Sequence, residues 1–313
     1  MLMVSLHKMN NTISMHKEPS LKLLFVINPV SGGKEKHDWE AAIRDYFNES
    51  PHQAEFYLLT GQSDKISIKG YIETLQPDRV IAVGGDGTVK LLAEMLKETP
   101  IPLGILPAGS ANGMARELGI PLDAEEALDV IVHGQMKKID LIRINEEEIC
   151  IHLSDVGMNA MLVKYFEKSG SRGLSGYGKV TFRILWQKRK MRVNICTDVE
   201  EVKREAYMVV LANARKYGTG ANINPDGDLY DGKFEVVVVR KLNLLEIFKA
   251  LFTDRSFHPR RIEVFSTTTL DMTLQRKSYF QVDGEYKGKT SKVQARILPG
   301  ILNIMIPQAE PRN

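Results

Sequence analysis

Cysteine is almost missing from this chain: Cys150 and Cys196 are the two in 313 residues. They stand far apart, each inside an apolar, strand-like run, which leaves no disulfide framework and no zinc-type spacing. Both are expected as buried reduced thiols, in keeping with a cytoplasmic setting. Long apolar runs are missing too. None approaches the ~20 residues that a membrane-spanning helix needs, and the first 20 residues lack the apolar core of a secretion signal. Contact with a membrane is therefore expected to be peripheral. Strong charge of one sign is also absent. A formal charge of +3 and a pI near 8.6 are too mild to imply nucleic acid, though they suit weak attraction to an anionic surface. No Gly-x-x-x-x-Gly-Lys-Ser/Thr loop occurs, which excludes an ordinary P-loop, and the want of a convincing Gly-x-Gly-x-x-Gly after a strand weakens a Rossmann dinucleotide site.

What is present centres on Ile81-Ala82-Val83-Gly84-Gly85-Asp86-Gly87-Thr88-Val89. Arg79 to Val83 is a β-rich apolar run, and Val89, Leu92, Ala93 and Leu96 then recur at helical spacing. A strand therefore becomes a helix across Gly84 to Thr88. The glycines admit close approach by a bulky ligand, and the helix start adds free N–H groups and the positive end of its dipole, a setting for phosphate. Asp86 places one carboxylate there, able to address Mg²⁺ or a hydroxyl; the plain alternative is a glycine turn with a surface aspartate. Two further apolar runs end alike. Leu21 to Ile27 leads into Asn28-Pro29-Val30-Ser31-Gly32-Gly33, and Pro102 to Leu106 into Pro107-Ala108-Gly109-Ser110-Ala111-Asn112-Gly113-Met114-Ala115-Arg116. In an open parallel sheet, such loops gather at the carboxyl edge of the strands.

The strand–helix alternation over residues 21–135 predicts an α/β domain with a parallel sheet. Helices are expected around Trp39 to Phe47, Ile66 to Leu75 and Asn112 to Leu118, and another after the acidic Asp123-Ala124-Glu125-Glu126. Residues 136–299 read instead as a succession of strands: Lys137 to Ile144, Ile149 to Ser154, Met191 to Thr197, Ala206 to Ala212, Phe234 to Val239, Ile262 to Phe265, Leu270 to Leu274, Tyr279 to Val282, Val293 to Leu298, and then Ile301 to Ile306. A second, largely antiparallel β domain follows. Helical insertions are expected at Met158 to Lys168, Leu174 to about Lys188 and Leu242 to Phe252. Residues 1–20 are expected as a poorly ordered leader.

Asn28-Pro29-x-Ser31-Gly32-Gly33, Gly84-Gly85-Asp86-Gly87-Thr88 and Pro107-Ala108-Gly109-Ser110-Ala111-Asn112, in that order, together with Gln281-Val282-Asp283-Gly284-Glu285, resemble the diacylglycerol kinase catalytic domain family, which includes sphingosine and ceramide kinases. The resemblance runs from about Leu21 onward. It implies an ATP- and Mg²⁺-dependent lipid kinase, with a nucleotide-binding domain at 21–135, completed by a returning tail at about 300–309, and a lipid-substrate domain at 136–299. Asn28, Pro29, Ser31, Gly32, Gly33, Thr60, Gly84, Gly85, Asp86, Gly87, Thr88, Ser110 and Asn112 would then meet ATP, and Asn112, Arg116 and Asp140 the substrate side. Taken without the family, Asn28-Pro29 is a common turn former and Asn112 could cap the helix after it.

Asp283 and Glu285 flank Gly284. In an extended stretch both carboxylates would point to one side, as a base and its partner require. Asp283-Gly284 is equally the usual hairpin dipeptide, and spacing alone favours that turn. The resemblance assigns both as catalytic with Asp86, without deciding which is the base. It also implies that Asp140 joins Asp86 around Mg²⁺, and that a second metal is held by Asp231 and by Asp228 and Lys233 in the loop Asn224 to Lys233. A basic, aromatic-bearing region from Tyr165 to Arg192 could rest on anionic lipid, though a solvated helix face is the commoner meaning. Expected partners are thus a lipid substrate at a membrane surface and no nucleic acid, with a homodimer left open. NAD kinases and phosphofructokinase-like kinases resemble the Gly-Gly-Asp-Gly region alone, and a catalytically silent nucleotide- or lipid-binding regulator is the alternative of another class.

Overall fold

The computed structural model describes residues 19–31, 39–169, 190–217, 221–222, 227–241 and 262–308. The first lobe is the expected α/β alternation. Strands β1 (Lys22–Ile27), β2 (Gln53–Leu58), β3 (Arg79–Gly84) and β4 (Leu103–Pro107) are parallel, in the order β2-β1-β3-β4. Between them run helices α1 (Trp39–Tyr46), α2 (Asp64–Leu75) and α3 (Asp86–Leu96), with the short α4 (Gly113–Glu117) and α5 (Ala124–His133) after β4. Residues of β1, β3 and β4 are buried on both faces, which explains why these runs are continuously apolar rather than alternating. Asp123 caps α5 by accepting from the Glu125 and Glu126 amides.

The second lobe starts with β5 (Gln135–Ile144), β6 (Glu148–Cys150), β7 (Leu153–Gly157) and helix α6 (Met158–Ser169). It continues through β8 (Met191–Thr197), β9 (Glu201–Ala206), β10 (Met208–Ala212), the short β11 (Lys216–Tyr217) and β12 (Ala221–Asn222), β13 (Phe234–Val239), β14 (Ile262–Thr267), β15 (Thr269–Val282) and β16 (Glu285–Ile306). Pairing here is antiparallel throughout. Hydrogen bonding carries the sheet across both lobes in the order β14-β13-β10-β7-β15-β16-β4-β3-β1-β2. The junction is the end of β16, where Ile304 pairs in parallel with Leu103 of β4.

Four expectations are corrected. Ile149 to Ser154 is not one strand but two, broken at Ile151 and His152. The paired runs 270–274 with 279–282, and 293–298 with 301–306, merge into β15 and β16, because Pro299-Gly300 only shifts the register against β5. Strand β9, rich in Glu, Lys and Arg, had no apolar signal, yet it pairs with β8. Cys150 is buried, but Cys196 lies on the outward face of β8 and is exposed; both are free thiols. The helices expected at 174–188 and 242–252, and residues 1–18 of the leader expected at 1–20, lie outside the described residues. Among the described residues no helix is long and apolar enough to cross a membrane.

Candidate functional site

Three loops meet at the carboxyl ends of β1, β3 and β4. After β3, Gly84 turns the chain into α3 so tightly that a Cβ there would lie 2.3 Å from Thr88 Oγ1. Gly109, after β4, comes so close that its Cβ would fall 2.4 Å from Gly85 Cα. Backbone thus packs on backbone, which only glycine allows. Asn28, after β1, joins them by donating from Nδ2 to Thr88 Oγ1 at 3.3 Å, while its Oδ1 accepts from the Val30 amide. Pro29 is exposed and Ser31 half-buried beside it; Gly32 and Gly33 lie outside the described residues.

Asp86 opens α3, and its two oxygens accept from the Gly113 and Met114 amides at 3.0 Å each. It therefore caps α4 from another loop. Asn112, the expected cap, does not: held at φ 51°, it folds back so that Oδ1 accepts from the Gly109 amide and Nδ2 donates to the Gly109 carbonyl. Ser110 is exposed at this turn, and Arg116 donates from Nε to the Ala111 carbonyl. Thr60, exposed past the end of β2, belongs to a turn organised by Asp64, whose carboxylate accepts from the Thr60 and Gly61 amides. Those donors hold the Asp64 carboxyl below its usual range, the Thr60 amide first.

From the other lobe comes the hairpin between β15 and β16. Val282 pairs with Glu285, and Asp283 and Gly284 take φ of 50° and 84°, a two-residue turn with both centres left-handed. The hairpin turn that spacing alone favours is what forms, and Asp283 and Glu285 do not share one extended face. Asp283 points inward, its side chain 1% exposed. It accepts from the Ile151, His152 and Leu153 amides at 3.1, 2.9 and 3.2 Å and from the Cys150 thiol at 3.4 Å. These amides are the ones lost to sheet pairing where the run after Ile149 breaks. Burial first, and then the Asp283 charge beside it, push the Cys150 thiol well above its usual value. Glu285, at the start of β16, has a side chain 55% exposed.

Lys90, on α3, reaches across the seam. Its buried ammonium lies 3.6 Å from Asp283, 3.7 Å from Glu285 and 3.8 Å from Glu148. Lys287 bridges Glu148 and Glu285 at 2.9 and 3.1 Å. Burial works to lower the Lys287 pKa, but hydrogen bonds and charge from both carboxylates hold it above its ordinary value. His152 joins the two halves. Its amide binds Asp283, while its ring lies where a side chain on Gly113 would meet it at 3.0 Å and Asp86 Oδ1 at 3.5 Å. Arg215, past β10, adds a second tie by donating to Glu117 of α4 at 2.8 Å. Asp86 and Asp283, 197 positions apart by their numbers, thus share one inter-lobe seam.

Asp140 has partners other than those expected. Its oxygens accept from the Gly232 and Gly300 amides at 2.7 Å each, which fastens β5 to the 227–233 loop and to the shift in β16. Burial raises its carboxyl pKa, the two amides oppose that, and Asp231 and Asp228 add to the rise. In the same loop Asp228 accepts from the Tyr230 amide and Asp231 from the Lys233 amide. Among the described residues, no three of His, Cys, Asp and Glu form a ready metal cluster. Sequence reasoning missed Lys90, Glu148, His152 and Lys287. Lys90 alone carried a signal, four residues after Asp86 on the same helix.

A parallel lobe with glycine loops at its strand ends, faced across a seam by an acidic hairpin from an antiparallel lobe, defines a two-lobed phosphotransferase. The diacylglycerol kinase catalytic domain matches residues 22–144, and the YegS C-terminal NAD kinase beta sandwich-like domain residues 155–306. Diacylglycerol kinase of Staphylococcus saprophyticus is 30% identical over 220 residues, covering 68% of this chain and 72% of that protein. The Staphylococcus epidermidis enzyme is 30% identical over 220 residues, with 68% and 69% covered. In fold, a Bacillus anthracis structure described as a diacylglycerol kinase aligns with TM-score 0.76 at 23% identity, over 91% of this chain and 97% of that one. The chain belongs to the diacylglycerol kinase family and is, with that family, a lipid kinase.

Proposed function

We propose that this protein transfers the γ-phosphoryl group of ATP, with Mg²⁺, to the hydroxyl of diacylglycerol or a related lipid. The nucleotide would lie on the loops after β1, β3 and β4, where backbone N–H groups and short polar side chains face the phosphates. Each Asp86 oxygen accepts one amide and keeps a second acceptor site, which suits a magnesium held directly or through water. When bound, the ion would neutralise phosphate charge in the loose transition state of such transfers. Asp140, Asp228, Asp231 and Lys233 fit better as a loop-organising group in the second lobe, where a structural cation would meet the remaining carboxylate oxygens and the Asp228 and Lys233 carbonyls.

The observation that carries this reading is the contrast between two carboxylates at the seam. Asp283 is committed to three backbone amides, whereas Glu285 stands half open beside it. Glu285 is therefore assigned as the base that takes the lipid hydroxyl proton, and Asp283 as the residue that fixes the hairpin. For the lipid side, Lys190, Lys203, Arg204, Arg240 and Lys241, with Glu205 among them, line an open cleft of about 280 Å³. Although Arg204 and Arg240 are partly neutralised by Glu263, this cleft is the surface proposed to dock peripherally on anionic lipid. Of the region from Tyr165 to Arg192, for which the sequence left lipid docking as an alternative to a solvated helix face, 170–189 lie outside the described residues.

The test is transfer from radiolabelled ATP to defined lipids in mixed micelles, with NAD as a competing acceptor. A labelled lipid product that requires Mg²⁺ is expected, with Asp86→Asn and Glu285→Gln each lowering kcat on the order of 100-fold or more while still folding. Labelled NAD in place of lipid, or full turnover in Glu285→Gln, would overturn the assignment.

A further inference from the structure

We infer that Lys90 is a positioning residue for the base: a cation resident in the seam that holds Glu285 against the nucleotide lobe. This deepens the reading of Glu285 given above and rests on it. Among the described residues, the Lys90 ammonium is a buried polar group with no hydrogen-bond partner. Burying a charge that way is costly unless opposite charge compensates it. Among the described residues, the compensation comes from the other lobe: Glu148 of β6, Asp283 of the turn and Glu285 of β16, all between 3.6 and 3.8 Å. The near-equal distances matter. A lysine that served only to staple the lobes would be expected to close on one carboxylate at hydrogen-bond distance, as Lys287 does on Glu148 at 2.9 Å. Lys90 instead stands off from all three.

Its position on α3 couples it to the nucleotide loop. Lys90 follows Asp86 by four residues, so both project from one face of the helix. Asp283 is further satisfied by backbone amides, while Lys287 is shared between Glu148 and Glu285, of which Glu285 is the more exposed. Glu285 is the carboxylate left open to solvent, and its charged and titratable surroundings are Lys90, Lys287, Glu148 and Asp283, with the Cys150 thiol behind Asp283. Two carboxylates crowd Glu285 and repel it; the two ammonium groups oppose that repulsion and hold it at the seam. Removing Lys90 leaves Glu285 free to swing toward solvent, away from the nucleotide lobe.

The full-length chain is assayed as wild type, Lys90→Met, Lys90→Arg, Glu285→Gln and the Lys90→Met/Glu285→Gln double variant. Lys90→Met should lower kcat by on the order of 10–100-fold with the KM for ATP within about threefold. Lys90→Arg should restore most of the lost kcat, because it returns a cation to the same place. In the Glu285→Gln background, Lys90→Met should add little, because the group through which it acts is gone. Wild-type kcat in Lys90→Met, an equal loss in Lys90→Arg, or fully additive loss in the double variant, overturns the inference. So does failure of Lys90→Met to fold while Lys90→Arg is fully active, since the cation is then a requirement of the fold alone. The underlying reading fails separately, through absent lipid-dependent turnover in wild type or undiminished turnover in Glu285→Gln.

Discussion

Two acidic residues separated by one glycine have opposite fates here. Asp283 takes a left-handed backbone angle and turns its carboxylate into a nest of three amides, while Glu285 resumes the strand and faces outward. The same logic of amides around a carboxylate operates at Asp64, which gathers the Thr60 and Gly61 amides and the Tyr57 hydroxyl. Its folded pKa is depressed. The unfolded chain therefore binds the proton more readily, and the stability Asp64 contributes is present above the unfolded value of about 3.9 and lost as pH falls through the folded one. Acid titration of unfolding should show a shallower acid limb in Asp64→Asn than in wild type, with a loosened Thr60 turn and a KM for ATP raised a few-fold. An unchanged limb would mean that the turn does not need the charge.

At the scale of elements, the loop-to-helix junction after β3 separates what the fold requires from what a ligand requires. Gly109 and Gly84 are packed against backbone or the Thr88 side chain, so Gly109→Ala should force the loops apart and cost about 1–3 kcal/mol. Gly87 has open space around it and no left-handed angle. As the second residue of α3 it is replaceable by alanine on helix grounds, with a gain of up to ~1 kcal/mol. Gly87→Ala should therefore melt at or above the wild-type temperature and yet bind ATP about tenfold more weakly, because the new methyl group occupies space next to the phosphates. Calorimetric titration beside a melting curve decides this; unchanged affinity would place the nucleotide elsewhere.

For the molecule as a whole, β16 makes the two lobes one body. Val293, Ala295 and Ile297 join the core of the antiparallel lobe, while Leu298, Leu302, Ile304 and Ile306 lie in the core that also holds Leu23, Phe25 and Ile81. Strand β5 is divided likewise, with Ile139 and Leu141 in one core and Ile142 and Ile144 in the other. A change near the end of the chain should therefore be felt through the nucleotide lobe. Ile304→Ala, at a fully buried position, should cost about 2–5 kcal/mol and lower a single calorimetric transition. Two transitions, with only one displaced, would show that the lobes melt separately.

Local pattern was sufficient for the α/β alternation, for the antiparallel character of the later strands and for the three loops, because strand and helix periodicity and glycine spacing are encoded over a few residues. It could not place His152 or Glu148 in the seam, and for Lys90 it offered only its spacing from Asp86, since His152 sits at a break between strands, Glu148 in an ordinary strand, and each acquires meaning only from groups more than 50 positions away. Nor could it decide between a hairpin turn and a pair of acids at Asp283-Gly284-Glu285: the tertiary structure makes the segment a turn and brings both acids to Lys90, burying one and leaving the other open. Which carboxylate is saturated by amides depends on where the Ile151 to Leu153 corner passes, and that is set by the packing of distant strands rather than by neighbours in the chain.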